Sequence, residues 1–322
     1  ELPQSRRERA EARKLAERLH QEPEGARALA GIAAVARQEG ELATALDLFQ
    51  QALGSFSRLE LPQKQASTRD EIGVTLTLQG ELMEALKQFQ PALAVSRQQK
   101  DRRGEAAVLA HQGRAILRFG EARQALAAQQ RSSELSRELH EPSSLAEALV
   151  GLGQAQQALG DLAAARRSLE EALAIFRRRG ERSGVAAASY GLGKVLAQQG
   201  DLGQARTRHE EALAIRTRIG EKLAAAESRL ALAELASRQG LAPQAEAAAR
   251  REVEAFHKLA NAPGEAAATL LLARTLMAQG KKRAADDVLR NAAHLLDTSQ
   301  EPAVRKAAAE LRERTAENRL VR

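Results

Sequence analysis

A glycine stands at every fortieth position of this 322-residue chain, from Gly40 to Gly280, without insertion or deletion. Five residues after each of these glycines stands an alanine, and seven residues before each stands an alanine or a glycine. A strict period of this length is typical of repeat architectures, in which each unit packs mainly against its neighbours. We therefore expect a linear array of seven units rather than a protein built around one central core.

Two apolar patterns at helical spacing flank each glycine. An apolar residue recurs eight positions before the glycine, as in Ile72 and Leu152, and apolar residues recur two, five, twelve and thirteen positions after it in most units. In the first unit this pattern predicts a helix A at about residues 24–39 and a helix B at about residues 42–58. The glycine between them favours the left-handed backbone that ends a helix. The chain is thus predicted to be all-α.

The small residues predict a close approach of the two helices in each unit. Helices joined by a two-residue turn approach closely where the facing side chains are alanine or glycine. A larger residue at Ala165 or Gly153 is expected to force them apart, at a cost of ~1–3 kcal/mol. Pro91 lies inside a predicted helix B, where we expect it to kink the helix or remove a hydrogen bond.

Composition narrows the classes of partner. The chain carries 49 basic and 42 acidic residues, a formal net charge of +7, and the two signs are interspersed, which indicates a mixed, solvated surface. It has no cysteine and therefore no disulfide, thiolate nucleophile or cysteine-based zinc site. No segment approaches the roughly 20 apolar residues that cross a bilayer. We expect a cytoplasmic protein without a membrane span.

No catalytic or cofactor motif is complete. The segment 191–194 resembles part of a phosphate-binding loop, but Ala188 and Val195 stand where that motif requires Gly and Ser or Thr. Gly151 and Gly153 repeat the same spacing one unit earlier, so the repeat accounts for these glycines. The six histidines include no pair at the i, i+4 spacing of a zinc site. The sequence predicts no enzyme activity, no metal and no cofactor.

The period resembles the tetratricopeptide repeat in a 40-residue form, longer than the usual 34 residues. The resemblance covers about residues 23–301. It implies an all-α, right-handed superhelix of seven helix-turn-helix units. The aromatic residue of helix B is kept only in Phe49 and Phe89. The resemblance rests, in one unit, on Leu152, Gly153, Gly160, Asp161, Leu162, Ala165, Leu169, Ala172 and Leu173.

Three segments are expected on this basis. Residues 1–22 are an N-terminal helix, either a cap or the remnant of a preceding repeat, residues 23–302 are the seven repeats, and residues 303–322 are a C-terminal capping helix with a polar outer face. The chain begins without Met and is similar to repeat arrays that follow effector domains in bacterial signalling proteins. We therefore expect that it starts inside a longer gene product, and a missing N-terminal effector domain would explain this start.

The resemblance implies a scaffold that binds a peptide or helix of a protein partner on the concave surface lined by the A helices. Tyr190, next to Lys194, is the expected hot spot, because buried Tyr and Arg dominate interface energies. The chain has three asparagines, none of them on the groove floor, so the asparagine-based clamps of related arrays are not expected. The groove residues predicted from phase are Arg37, Arg114, Arg118, Gln154, Gln157, Tyr190, Lys194, Arg238 and Arg274.

Two alternatives stay open at this point. Arginine clusters at 102–103, 166–167 and 177–179 would let the outer face of the solenoid bind nucleic acid phosphates. A chain with one Tyr and no Trp lacks the aromatic platforms on which single strands stack, which makes nucleic acid the less favoured partner. An apolar helix B face exposed at the N-terminus would instead favour self-association into a homo-oligomer.

Overall fold

We describe the protein from a computed structural model, which covers residues 23–316. Within that range the chain forms sixteen α-helices and no β-strand. The N-terminal helix predicted within residues 1–22 lies outside the described residues. The helices are α1 Pro23–Gln38, α2 Leu42–Arg58, α3 Pro62–Gln79, α4 Leu82–Gln98, α5 Arg102–Arg118, α6 Ala122–Glu138, α7 Pro142–Ala158, α8 Leu162–Arg179, α9 Arg182–Gln198, α10 Leu202–Ile219, α11 Lys222–Arg238, α12 Ala242–Lys258, α13 Ala262–Ala278, α14 Lys282–Asn291, α15 Ala293–Asp297 and α16 Pro302–Ala316.

Helices α1 to α14 form seven helix hairpins, and each hairpin packs on the next along the chain. The predicted all-α solenoid is therefore confirmed. Helix α4 runs unbroken through Pro91, whose missing N–H leaves one helical hydrogen bond unmade. Helix α16 begins at Pro302, one residue before the predicted cap, and it buries Val304, Ala308 and Leu311. No helix between residues 23 and 316 is long and apolar enough to cross a membrane.

The turns between helices depend on residues with positive φ. All seven period glycines adopt it, with φ between 74° and 100°. The loops that lead from one unit to the next require the same conformation twenty residues later, where Gly180 and Gly220 stand in two units. Four other units place a residue with a Cβ there. The sequence did not predict a positive φ at these four positions, because glycine is the residue type that indicates this conformation. These strained residues are Glu60, Lys100, His140 and Ala260.

The small residue of helix A faces a large side chain of helix B, which differs from the expectation that alanine or glycine would face it. A Cβ on Gly153 would lie 2.6 Å from Leu169 Cγ and 3.1 Å from the carbonyl oxygen of Ala165. A Cβ on Gly191, in the next unit, would lie 2.7 Å from Leu169 Cδ2. The paired glycines of this segment therefore enclose a buried side chain and are a packing feature.

The superhelix turns tightly enough for its first units to touch its last ones. A Cβ built on Gly40 would stand 2.8 Å from Leu259 Cδ2, and one built on Gly80 would stand 2.7 Å from Pro263 Cγ. Residues joined in this region are 183 to 219 positions apart. One superhelical turn therefore takes about five units, and the edges of successive turns are in contact.

Polar side chains reinforce this contact between turns. Asn261 Nδ2 donates to the carbonyl oxygen of Leu78 at 2.6 Å. Arg118 Nη2 lies 2.5 Å from Glu301 Oε1, and the Gln300 side chain makes two further hydrogen bonds of 2.9 and 3.0 Å. We call this contact the seam. Its polar contacts join Leu78, Glu81, Met83 and Arg118 to Asn261, Gln300 and Glu301.

Candidate interaction groove

The A helices form the inner wall of the superhelix. Each of α3, α5, α7, α9, α11 and α13 contacts the A helix of the preceding unit, whereas the described B helices make no comparable contacts with one another. Helices that approach more closely lie on the inside of a curved array. The A helices thus present a groove, and the B helices form the outer surface.

The nine groove residues predicted from the sequence all lie on A helices but fall into different environments. Arg37 and Arg114 belong to one polar cluster, whereas Tyr190 and Lys194 belong to a second. Arg118 is engaged in the seam. The remaining four have their own settings: Gln157 Nε2 donates to Gln198 Oε1 at 3.0 Å, Arg274 lies 4.0 Å from Glu234, Gln154 is half-buried, and Arg238 is exposed.

The first cluster is centred on Asp70, a carboxylate only 6% exposed on α3. Asp70 Oδ2 lies 2.8 Å from His111 Nδ1 on the next A helix. Asp70 Oδ1 is buried and has no hydrogen-bond partner. On the neighbouring unit, Arg37 Nη1 lies 2.5 Å from Glu71 Oε2. We call this group the Asp70 cluster, formed by Arg37, Asp70, Glu71, His111, Arg114 and Glu147.

Arg114 is the unsatisfied cation of the Asp70 cluster. It is half-buried on α5 and makes no hydrogen bond or ion pair within the described part of the chain. Burial lowers its pKa, while the carboxylates of Glu147 and Asp70 act in the opposite direction. A guanidinium stays charged in a protein, and its five N–H donors have no acceptor within hydrogen-bond distance among residues 23–316.

The second cluster surrounds Tyr190 on α9. The ring of Tyr190 lies 5.3 Å from the ring of His209, and the Arg216 guanidinium carbon lies 4.7 Å above it. Lys194 Nζ lies 6.0 Å from the same ring. Burial raises the pKa of the Tyr190 hydroxyl. Burial, with Lys194 and Arg216 nearby, lowers the pKa of His209 to about 4. This cluster joins the groove to the core of the array.

Sequence reasoning missed the helix B members of this second cluster. His209 is 2% exposed and stands at the position where Phe49 and Phe89 are buried in earlier units. Arg216 is 6% exposed and stands at the phase of the buried Phe56. The signal was present, since a polar residue at a phase that is otherwise apolar marks a departure from the repeat. Arg216 Nη1 donates to a backbone carbonyl and to a serine hydroxyl, each at 2.8 Å.

The arginine clusters of the outer face are largely paired with carboxylates of neighbouring units. Arg177 lies 2.7 Å from Glu211, and Arg137 lies 3.4 Å from Glu171. The Arg102–Arg103 pair, Arg166 and Arg179 also form ion pairs. In residues 23–316, no three His, Asp or Glu side chains are grouped as metal ligands. Most arginines of these outer clusters are therefore neutralised by nearby glutamates.

Comparisons with known proteins identify the repeat type. The tetratricopeptide repeat family model matches residues 105–178 and 184–258. No curated protein sequence gives a significant match. Among solved structures, aspartyl phosphate phosphatase F from Bacillus subtilis shares 11% identity over 82% of this chain and 70% of its own, with a TM-score of 0.61.

Two further structures share the fold. A Rap protein complexed with competence and sporulation factor is 14% identical over 83% of this chain and 80% of its own, with a TM-score of 0.60. A signal transduction ATPase with a tetratricopeptide repeat sensor from Pyrococcus horikoshii is 13% identical over 88% of this chain, with a TM-score of 0.56. This chain covers 43% of that larger protein. Identities this low compare folds alone.

Proposed function

Because this chain is a tetratricopeptide repeat protein, we propose that it is an interaction scaffold that binds a segment of a protein partner in the groove of its A helices. The main support is Arg114, a half-buried cation on an A helix that makes no hydrogen bond or ion pair in the described chain, although the carboxylates of Glu147 and Asp70 act on it electrostatically. A bound segment would supply acceptors for its N–H donors. Lys194 adds a second, exposed cation to the same wall.

The same proposal includes a place in a larger regulator. One structural relative is described as carrying its tetratricopeptide repeats as a sensor beside an ATPase. By analogy, this array serves as the sensory or adaptor part of a cytoplasmic, bacterial regulator, without catalysis or a cofactor of its own. Self-association remains a separate prediction, decided by mass measurements at several concentrations.

Nucleic acid is the weaker partner class. The outer arginines on which that reading depends are ion-paired with glutamates of adjacent units, as in Arg177 with Glu211. Phosphate binding would have to compete with these internal carboxylates. Binding through these arginines would also fall steeply as salt is raised. A salt titration with duplex and single-stranded oligonucleotides distinguishes this class from protein binding.

Capture of cell proteins on immobilised chain tests the groove. The groove variant carries Arg114→Ala and Lys194→Ala, and it leaves Tyr190 intact because that ring packs against core residues. The matched control carries Arg167→Ala and Arg178→Ala, which remove the same charge from exposed positions of α8. We expect specific proteins retained by the wild type and the control but lost by the groove variant. Equal capture by all three would refute the groove assignment.

A further inference from the structure

We propose that the uncovered edges of the superhelix bind a second copy of this chain, head to tail, through the kind of contact that closes the seam. Within one chain, the seam joins helix turns of early units to loops of late units. Both kinds of element recur in other units, where the described part of the chain leaves them uncovered. These edges are separate from the groove, so such a contact neither needs nor blocks groove binding.

The seam has a repeating geometry. The loop 259–263 fits between the turns at Gly40 and Gly80 and touches both. The next loop, 299–302, fits in the same way between the turns at Gly80 and Gly120. In each loop, one polar contact joins residues that are 183 positions apart. A contact moved by one unit along both edges therefore meets the same geometry.

The turns of the later units are uncovered. A Cβ added to any of the four later period glycines would meet no neighbouring element of the described chain within 4 Å. Leu159 and Leu241 flank these turns, with 43% and 41% of their surface exposed. The three clefts between the four turns are thus equivalent to the two clefts that the seam fills. The four glycines are Gly160, Gly200, Gly240 and Gly280.

Two loops of the early units repeat the apolar residues with which the seam packs. Each has a leucine at the phase of Leu259 and a proline at the phase of Pro302. Both prolines are exposed. One chain therefore carries both halves of a seam-like contact, with turns at one edge and loops at the other. The loop residues are Leu59 and Pro62 in the first loop, and Leu139 and Pro142 in the second.

Helix α16 sets the register of a second copy. It occupies the position of an eighth helix A, so the first unit of the second copy takes the ninth position. On the turn edge, Arg238 stands at the phase of Arg118, which the seam pairs with Glu301. On the loop edge of the second copy, the residue that takes the place of Glu301 is Asp101. The register thus brings Arg238 to a carboxylate, as in the seam.

The same register produces a second pair of opposite charges. Asp201 stands at the phase of Glu81, which accepts a hydrogen bond from Gln300 at 3.0 Å. The residue of the second copy that takes the place of Gln300 is Lys100. The side chains of Lys100 and Arg238 are exposed and make no hydrogen bond or ion pair within residues 23–316. Two unpaired cations therefore face two carboxylates, which favours this partner and this register.

The contact joins two different surfaces, so it cannot close as a symmetric pair. The turn edge of one copy meets the loop edge of the next, and each end of the assembly keeps an edge that can bind again. Such a head-to-tail contact generates an open assembly that grows with concentration. A dimer with two-fold symmetry would stop at two copies.

Sedimentation of the purified chain from micromolar to submillimolar concentration tests the proposal. Arg238→Glu reverses a charge on the turn edge, and Lys100→Glu reverses one on the loop edge. The control Arg178→Glu makes the same reversal at an exposed position of α8. We expect the mean mass of the wild type and the control to rise beyond that of a dimer, and association of each edge variant to weaken at least about tenfold.

A mixture of the two edge variants gives a sharper readout. Arg238→Glu keeps an unaltered loop edge, and Lys100→Glu keeps an unaltered turn edge. Together they can form one wild-type contact, after which the remaining edges are defective. We expect the equimolar mixture to form heterodimers, and nothing larger, at concentrations where each variant alone is monomeric. Thermal unfolding followed by circular dichroism checks that both variants keep the fold.

Three results would overturn the proposal: a wild type that stays monomeric throughout, a dimer that does not grow, or a mixture no heavier than its components. The groove variant with Arg114→Ala and Lys194→Ala is expected to assemble like the wild type. Its failure to bind other proteins would concern the groove, whereas a loss of assembly in that variant would count against the edges as the site of contact.

Discussion

Acidification should destabilise this protein through His209. The folded chain holds the pKa of His209 at about 4, against 6.5 for an ordinary histidine, because burial and the nearby Lys194 and Arg216 oppose its protonation. Between these two values the unfolded chain binds a proton that the folded chain does not. His209 therefore makes its full contribution to the free energy of unfolding above about pH 6.5, and this contribution is lost as pH falls towards 4.

The size of the effect follows from the two pKa values. A separation of about 2.5 pKa units corresponds to about 3.4 kcal/mol when the whole interval is crossed. Between pH 7.5 and pH 4.5, most of the interval is crossed, and the free energy of unfolding is expected to fall by about 2.5 kcal/mol from this residue. Carboxylates titrate in the same range, so the quantity to measure is a difference between variants.

His209→Phe removes the titrating group with little change in packing. Phenylalanine already occupies this position in Phe49 and Phe89, and Gly73 beside Phe89 corresponds to Gly193 beside His209. Urea unfolding followed by circular dichroism from pH 7.5 to 4.5 should show the wild type losing about 2.5 kcal/mol more than the variant.

The exposed His294 supplies the control. His294→Phe makes the same exchange at an exposed position and controls for the replacement of a histidine by phenylalanine as such. An NMR titration should place the His209 ring near pKa 4. Parallel curves for the wild type and His209→Phe would refute the reasoning, since they would mean that this ring accepts a proton in the folded chain as readily as in the unfolded one.

Three further predictions concern the backbone, the core and the seam. Ala260→Gly relieves a positive φ and should raise the free energy of unfolding by ~0.5–1 kcal/mol. The same exchange at the exposed, helical Ala174 should lower the free energy of unfolding by ~1 kcal/mol. Urea unfolding that changes in the same direction for both variants would contradict this prediction. Gly153→Ala should lower the free energy of unfolding, measured in urea, by ~1–3 kcal/mol, because the added methyl group overpacks against Leu169. An unchanged free energy of unfolding would mean that the two helices can move apart without cost. Arg118→Met removes the ion pair of the seam and should speed amide hydrogen exchange at the seam-facing ends of the array; unchanged protection would make this contact dispensable.

The period of the sequence was sufficient to predict each helix pair but not the contacts between distant units. Helices α1 and α2 begin and end within one residue of the predicted ranges, because a glycine turn and an apolar phase act locally. The seam depends on a small rotation added at each of about five unit boundaries, and no local pattern encodes that sum. Arg118 illustrates the difference: its phase predicted a groove residue, and the closure of the superhelix pairs it with Glu301.

The sequence predicted which helix carries each candidate residue but not which polar groups have partners. Phase placed Arg114 and Tyr190 on A helices, where the structure has them, and their role in binding stays a prediction. Whether a polar group there has a partner depends on neighbours 20 to 41 residues away, such as His111 for Asp70. That information lies in side-chain geometry, so the unsatisfied state of Arg114 and of Asp70 Oδ1 emerged only from the structure.

The seam also constrains how this gene can change. Open repeat arrays gain and lose whole units by duplication or deletion, since each unit needs only its neighbours. Here, the addition or removal of one unit between Leu78 and Asn261 would rotate and shift Asn261 relative to Leu78. The hydrogen bond between these two residues would then be lost. The repeat number is thereby tied to the closure of the superhelix, and the unbroken 40-residue spacing from Gly40 to Gly280 is the trace that such a constraint would leave.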